Sequence, residues 1–186
     1  AQDQNPLTKL PGNTSIKKYL ADILKRPGES HVCVYFDFDN FKPFNDVYGF
    51  RQGDRIIRLF ADILREDRQI VKEFTGHIGG DDYFIGYNGK ENSKETIIHE
   101  VKEIISSFEN DVLPFYNEEH RKCGFNTSKS RKGRTAKFPL LTVSAAVIVI
   151  SKPPDGYTLE ALSETIASLK VKAKKSPDNI AELEID

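Results

Sequence analysis

The chain has 186 residues, 38% of them hydrophobic and 30% charged, and its 27 Lys and Arg against 28 Asp and Glu leave a net charge of −1. That length suits one domain that buries a core without disulfide or metal staples, and the balanced charge argues against a coat for nucleic acid or an anionic membrane. The longest apolar run, Leu140 to Ile150, is too short to span a bilayer, no signal-peptide pattern opens the chain, and Cys33 and Cys123 stand apart with no Cys-x-x-Cys pair. A cytoplasmic setting is therefore expected, with neither nucleic acid nor membrane as a partner. The four histidines show no metal-ligand spacing, and the chain does not begin with Met. It is expected to be the C-terminal piece of a larger multidomain protein, with any sensor or membrane anchor outside it.

In chain order, Asn13 or Thr14 is expected to cap a first helix that runs to about Arg26, with Ile16, Tyr19, Leu20, Ile23 and Leu24 at helical spacing, before Pro27-Gly28 stops it. Val32 to Phe38 reads as a central strand. Asp54 to Arg65 reads as a helix, with Ile56, Leu59, Phe60, Ile63 and Leu64 on one face. Glu73 to Ile78 and Tyr83 to Tyr87 flank a Gly79-Gly80-Asp81-Asp82 turn and form a hairpin. A helix over Glu95 to Val112, a buried strand over Leu140 to Ile150, a last helix over Thr158 to Lys175 and a short strand near Ile180 to Ile185 complete the order α-β-α-β-β-α-β-α-β. This order predicts a mixed sheet with helices packed on it in one α/β domain, residues 1–186. Arg121 to Lys137 holds seven basic residues in seventeen and reads as an inserted solvated hairpin or loop, with a phosphate or acidic contact as the alternative.

The chemistry gathers at two places. Residues two apart on a strand share a face, so Asp37 and Asp39 point the same way if the strand is regular. Carboxylates emerging from an apolar strand are costly to desolvate without a cation. If the hairpin strand lies beside this one, Asp81 and Asp82 join them, giving the hard oxygen set that suits Mg²⁺ or Mn²⁺ shared with phosphate. Gly79 and Gly80 let the backbone turn tightly and a phosphate approach closely, and Lys42 and Lys174 are candidate phosphate contacts.

These motifs resemble the GGDEF domain, the diguanylate cyclase family. The signature loop reads Gly79-Gly80-Asp81-Asp82-Tyr83, and the metal strand reads Phe36-Asp37-Phe38-Asp39-Asn40-Phe41-Lys42. Asn5-Pro6-Leu7-Thr8-Lys9-Leu10-Pro11-Gly12-Asn13 is similar to the family's opening motif, and Phe44-Asn45-Asp46-Val47-Tyr48-Gly49 and Gly53-Asp54 continue it. The closest likeness is to a subgroup often fused to EAL and CBS domains, which carries a segment inserted before Phe138. The resemblance implies a palm-like α+β fold related to adenylyl cyclases, with a central five-stranded sheet wrapped by helices. It implies two GTP-loaded domains facing each other as a homodimer and condensing their nucleotides into cyclic di-GMP and pyrophosphate.

The implied roles fall on matching positions. Asp37, the Phe38 carbonyl, Asp81 and Asp82 match the ligands of Mg²⁺ or Mn²⁺. Asp81 and Asp82 match the catalytic acids, with Asp81 as general base. Asn45 and Asp54 match the guanine-reading pair, and Phe41, Lys42, Lys174, Gly79 and Gly80 match the rest of the substrate site. Some positions depart from the family. Asp82 stands where Glu is common, which implies a weaker second metal site. Tyr83 stands for Phe and adds a hydroxyl that needs a partner, and Asp178 precedes Asn179 where many relatives carry Arg. The Arg-x-x-Asp clamp for product falls on Ile70 and Glu73, so that clamp is expected to be lost. The expectation is an active cyclase. The alternatives are a catalytically weak or inactive GTP-binding domain that controls an attached EAL phosphodiesterase, and a dimerisation scaffold.

Overall fold

The computed structural model of the chain describes residues 3–26, 28–129 and 132–186. In order it contains α1 (Asn13–Leu24), β1 (His31–Asp39), α2 (Phe41–Tyr48), α3 (Phe50–Arg65), β2 (Lys72–Gly79), β3 (Asp82–Asn88) and α4 (Lys94–Asp111). A 3-10 turn (Leu113–Phe115) leads to α5 (Glu118–Cys123), β4 (Phe125–Lys129), β5 (Thr135–Pro139), β6 (Thr142–Ile150), α6 (Leu159–Lys175) and β7 (Ile180–Ile185). Five strands form one mixed sheet in the order β2-β3-β1-β6-β7, and β4 and β5 pair apart from it. β1 is central and antiparallel to both β3 and β6, while β7 runs parallel to β6 after the α6 crossover. This is the expected α+β architecture.

Strand alternation divides the core in two. Val32, Val34, Phe36 and Phe38 of β1 face α3 and α4, where they meet Ile56, Phe60, Ile63, Leu64, Val101, Ile104 and Phe108. Cys33 and Tyr35 face the other way, into a cluster with Ile16 and Leu20 of α1 and Leu162, Ile166 and Leu169 of α6. Both faces of β1 are thus covered, which explains its nearly unbroken apolar run. On the α1/α6 side the apolar surface ends at Tyr35, and the next two residues on that face are Asp37 and Asp39.

Several local expectations are corrected. α1 begins after Gly12 with no side-chain cap from its own first residues; Asp3 Oδ2 instead accepts from the Ser15 amide at 2.8 Å. The helix ends at Leu24 rather than Arg26, and the Pro27 stop lies outside the described residues. α3 starts at Phe50, four residues before Asp54, and a separate helix α2 precedes it. α2 fully buries only Phe44 and carries Pro43 in its first turn, where a missing N–H costs little, and its eight residues are fewer than helical periodicity needs to show in a sequence. The Gly-Gly-Asp-Asp turn is also tighter than four residues, because Gly79 and Asp82 already pair in the ladder.

The described part of the basic segment forms the β4–β5 hairpin, preceded by the short α5. Its inner face is not solvated. Asn126 and Ser128 are buried against α2, Ser128 Oγ donating to Asp46 at 2.9 Å and Asn126 Nδ2 to the Pro43 carbonyl at 3.4 Å. Tyr48 shares a hydrogen bond of 2.5 Å with His120, which ties α5 to the end of α2.

Phe60 is the aromatic centre of the larger core, with ring centroids 4.7 Å from Tyr83, 5.2 Å from Phe108, 5.3 Å from Phe38 and 5.4 Å from Phe36. Phe60→Ala leaves a cavity against four rings, and urea unfolding should show a loss of about 3–5 kcal/mol. A loss under about 1 kcal/mol would show that the core refills and that this packing does not anchor β1.

Candidate functional site

The site forms where the α1/α6 face of the sheet turns polar. In the antiparallel register Asp37 lies opposite Asp82 of β3 on one side and Ser144 of β6 on the other, and Asp39 lies opposite Thr142. Asp82 precedes Phe84 by two residues, and Phe84 packs into the α1/α6 cluster, so Asp82 shares its face. The two-residue turn Gly80-Asp81 brings Asp81 to the same spot, and the Asp81 carbonyl accepts from the Phe38 amide at 3.2 Å. Oxygens of Asp37, Asp81 and Asp82 all lie within 4.8 Å of one another.

Asp39 has a different task. Its carboxylate accepts from Thr142 at 2.8 Å, from Ser144 at 2.8 and 3.0 Å, and from Lys174 at 2.8 Å. It is fully engaged as a strut, leaving Asp37, Asp81 and Asp82 as the convergent set. Two lysines one turn apart on α6 reach that set. Lys170 Nζ lies 3.0 Å from Asp82 Oδ1, and Lys174 Nζ lies 3.3 Å from Asp37 Oδ2 and donates to the Phe38 carbonyl at 3.2 Å.

The electrostatics follow from this crowding. Burial, and then the neighbouring Asp82 charge, push Asp37 from an ordinary value near 3.8 to about 7. Burial and the Asp82 charge raise Asp81 as well. Burial opposes the Lys174 charge, but the Asp39 and Asp37 carboxylates outweigh it and hold the ammonium above its usual range. Half-buried carboxylates that resist ionisation beside one another, with a backbone carbonyl alongside, form a hard oxygen donor set that fits a divalent cation.

The turn is held from below. The His77 Nε2–H donates to the Gly80 carbonyl at 2.8 Å, and the Thr8 hydroxyl donates to Nδ1 at 2.9 Å. Burial lowers the His77 pKa, consistent with this neutral form, and its ring stacks on Tyr83 at 4.3 Å. Thr8 is placed by the opening motif: Asn5 Oδ1 accepts from the Leu7 and Thr8 amides at 2.9 and 3.2 Å. Gly80 sits at φ 52°, and no atom lies within 4 Å of where a Cβ would stand on Gly79 or Gly80, so the space before the turn is open.

The other expected residues occupy two further regions. Asn45 on α2 lies directly over Gly53 of α3; a Cβ there would fall 2.0 Å from Asn45 Oδ1, which is buried without a hydrogen-bond partner among the described residues. Asp54 follows Gly53 on α3 and is exposed. Phe41 packs edge-on against Phe38 at 5.2 Å. Lys42 is exposed and pairs with Asp46 at 2.8 Å rather than with the acidic set.

On the opposite edge, Ile70 packs on the core, and Glu73 accepts from Tyr19 at 2.7 Å and lies 3.0 Å from His31 Nδ1. The Tyr83 hydroxyl finds its partner in the Ile57 carbonyl at 2.7 Å. Asp178 shapes the α6–β7 turn, accepting from Ser176 at 2.7 Å and from the Ile180 amide at 3.1 Å. Lys170, His77 and Thr8 were not singled out from the sequence. Lys170 was detectable, since it precedes Lys174 by one helical turn.

The family model described as "Diguanylate cyclase, GGDEF domain" matches residues 2–138. The probable diguanylate cyclase DgcI of Escherichia coli is 30% identical over 99 residues, 53% of this chain and 21% of that protein. The diguanylate cyclase DgcS of Shewanella oneidensis is 37% identical over 75 residues, 40% of this chain and 25% of that protein. The chain thus spans no more than about a quarter of either relative. The crystal structure of the GGDEF domain of DgcB from Caulobacter crescentus, in complex with c-di-GMP, superposes with a TM-score of 0.67 at 18% identity, covering 98% of this chain and 96% of that one, a likeness of fold. Among the described residues no helix is long and apolar enough to cross a membrane.

The raised Asp37 pKa has a consequence for stability. The folded state favours the protonated carboxyl, so this contribution is present below the ordinary carboxylate pKa and is lost as pH rises through about 7. With a chelator present, Asp37→Asn should gain Tm relative to the unsubstituted chain as pH rises from 4 to 8, and Mg²⁺ should reverse the gap. A gap that stays constant with pH would refute the crowding.

Proposed function

The chain belongs to the GGDEF domain family of diguanylate cyclases, and on that premise we propose that it condenses two GTP into cyclic di-GMP with release of two pyrophosphates. The observation that carries this reading is the convergence of Asp37, Asp81 and Asp82 within 4.8 Å beside an open Gly-Gly turn. Asp37, the Phe38 carbonyl, Asp81 and Asp82 are the groups that would hold Mg²⁺ or Mn²⁺. When bound, the ion polarises phosphoryl oxygens and lowers the pKa of a nearby hydroxyl.

The protein's own groups supply the remainder. The open turn at Gly79 and Gly80 admits the triphosphate to the backbone. Lys174 neutralises phosphate oxygens, and Lys42 joins it, since its solvent-exposed pair with Asp46 is screened by water and holds it weakly. Asn45 and Asp54 read the base. The Asp54 carboxylate accepts from the guanine N1–H and N2–H₂ edge, which adenine lacks, so GTP is selected over ATP. In each half-reaction a 3′-oxygen forms a bond to the α-phosphorus of the opposing nucleotide, the α–β P–O bond breaks, and the 3′-hydroxyl proton passes to Asp81. One domain holds one GTP, so turnover requires a second loaded copy facing the first.

The chain incubated with GTP and Mg²⁺ or Mn²⁺ should yield cyclic di-GMP and pyrophosphate, and Asp81→Ala should lower the rate by about 100-fold or more. GTP bound tightly without turnover at high protein concentration would instead make the domain a GTP sensor. Product should not bind at the edge strand, because Ile70 is an apolar side chain packed against the core and Glu73 is held by Tyr19 and His31. Calorimetry should show no tight cyclic di-GMP site there; a sub-micromolar site lost in Glu73→Ala would overturn that assignment.

A further inference from the structure

Charge counting around the acidic set leads to Lys170. Four carboxylates, of Asp37, Asp39, Asp81 and Asp82, gather at the end of β1, and two ammonium groups, of Lys170 and Lys174, make ion pairs with three of them. With all four carboxylates ionised the balance is two negative charges, which one divalent ion cancels. The division of labour is also geometric. Lys174 binds Asp39, Asp37 and the Phe38 carbonyl, whereas Lys170 contacts Asp82 alone, at 3.0 Å. The Lys170 and Asp82 side chains are only 24% and 32% exposed, so water screens this pair less than a surface one.

We propose that the Lys170 ammonium is a resident cation on Asp82 Oδ1, so that each domain takes a single divalent ion, among Asp37, Asp81 and the remaining Asp82 oxygen, and Lys170 fixes the Asp82 carboxylate beside it. This rests on the reading that the acidic set holds a divalent ion. Lys170 is then a positioning residue, and the shorter Asp82 is matched to a lysine partner rather than to a second metal. An ammonium is a fixed, single charge that needs no loading, so the site keeps part of its counter-charge at any divalent-ion concentration.

The test counts bound Mn²⁺ by the electron paramagnetic resonance signal of the free ion, titrated into the nucleotide-free chain at pH 8. The unsubstituted chain should bind one Mn²⁺. Lys170→Gln should bind two, Lys170→Arg one, and Lys170→Gln combined with Asp82→Asn one again. Thermal melts check that each variant is folded, and Lys170→Met replaces Lys170→Gln if the latter is not. Two ions on the unsubstituted chain, or a single ion of affinity unchanged within about twofold in the folded neutral variant, would overturn the inference while leaving the cyclase reading intact. No Mn²⁺ on the unsubstituted chain would overturn the inference, and the GTP turnover assay then decides the cyclase reading by itself. A purely structural role for Lys170 would change the melts and leave the ion count at one.

Discussion

Three carboxylates must share a half-buried corner at the end of an apolar strand. Water cannot solvate them fully there, and the Asp82 charge raises the cost of ionising Asp37 and Asp81. The surrounding structure meets that cost with directed cations and donors. Asp39 is saturated by Thr142, Ser144 and Lys174, so it adds rigidity without joining the convergent set. Asp82 is held by Lys170, and Asp37 shares Lys174 with Asp39. What is left uncompensated is a concentrated negative charge beside open space, an arrangement that is more favourable with a cation present than without one.

This corner exists because a single strand alternation continues past the end of the core. Cys33 and Tyr35 face α1 and α6, and the same parity carries Asp37 and Asp39 to that face. Parity on β3 does the same for Asp82, through Phe84. α6 lies across the face, and the helical step that buries Ile166, Leu169 and Ala173 places Lys170 and Lys174 one turn apart beside the acids. A one-residue slip of β1 against β3 would exchange Phe38 for Asp37 on the wet side and dissolve the site. Core packing and site geometry therefore depend on the same register, which the aromatic cluster around Phe60 and Tyr83 helps to fix.

Much of this could be read from residue order. The β-branched and aromatic run through Phe38, the Gly-Gly turn and the long amphipathic helices carry strong periodic signals, and they placed five sheet strands and four helices close to where they lie. The acidic set was legible because Asp37 and the turn acids are each unusual next to apolar strands. Other features were not legible, for physical reasons. α2 is eight residues long, so its stripe of Phe41, Phe44 and Tyr48 is too short to read as a helix. The α1 start draws on Asp3, outside the local capping pattern. The β4–β5 hairpin looks solvated in composition, yet Asn126 and Ser128 are buried by bonding to α2, which basic neighbours conceal. His77 acts through the Gly80 carbonyl and Thr8, a contact between residues 69 positions apart that no local pattern reveals.

The shorter side chain at Asp82 looked from sequence like a loss of reach. In the ladder, Asp82 stands directly opposite Asp37, and directly opposed side chains on antiparallel strands begin only about 5 Å apart at Cβ. An aspartate therefore already touches the shared space. At this length its oxygen meets the Lys170 ammonium at 3.0 Å. Side-chain length, lysine placement and strand register are thus one matched set. Leaving Asp82 charged without Lys170 would strand a half-buried carboxylate beside two others, which is why the lysine and the aspartate are best understood as a single electrostatic unit.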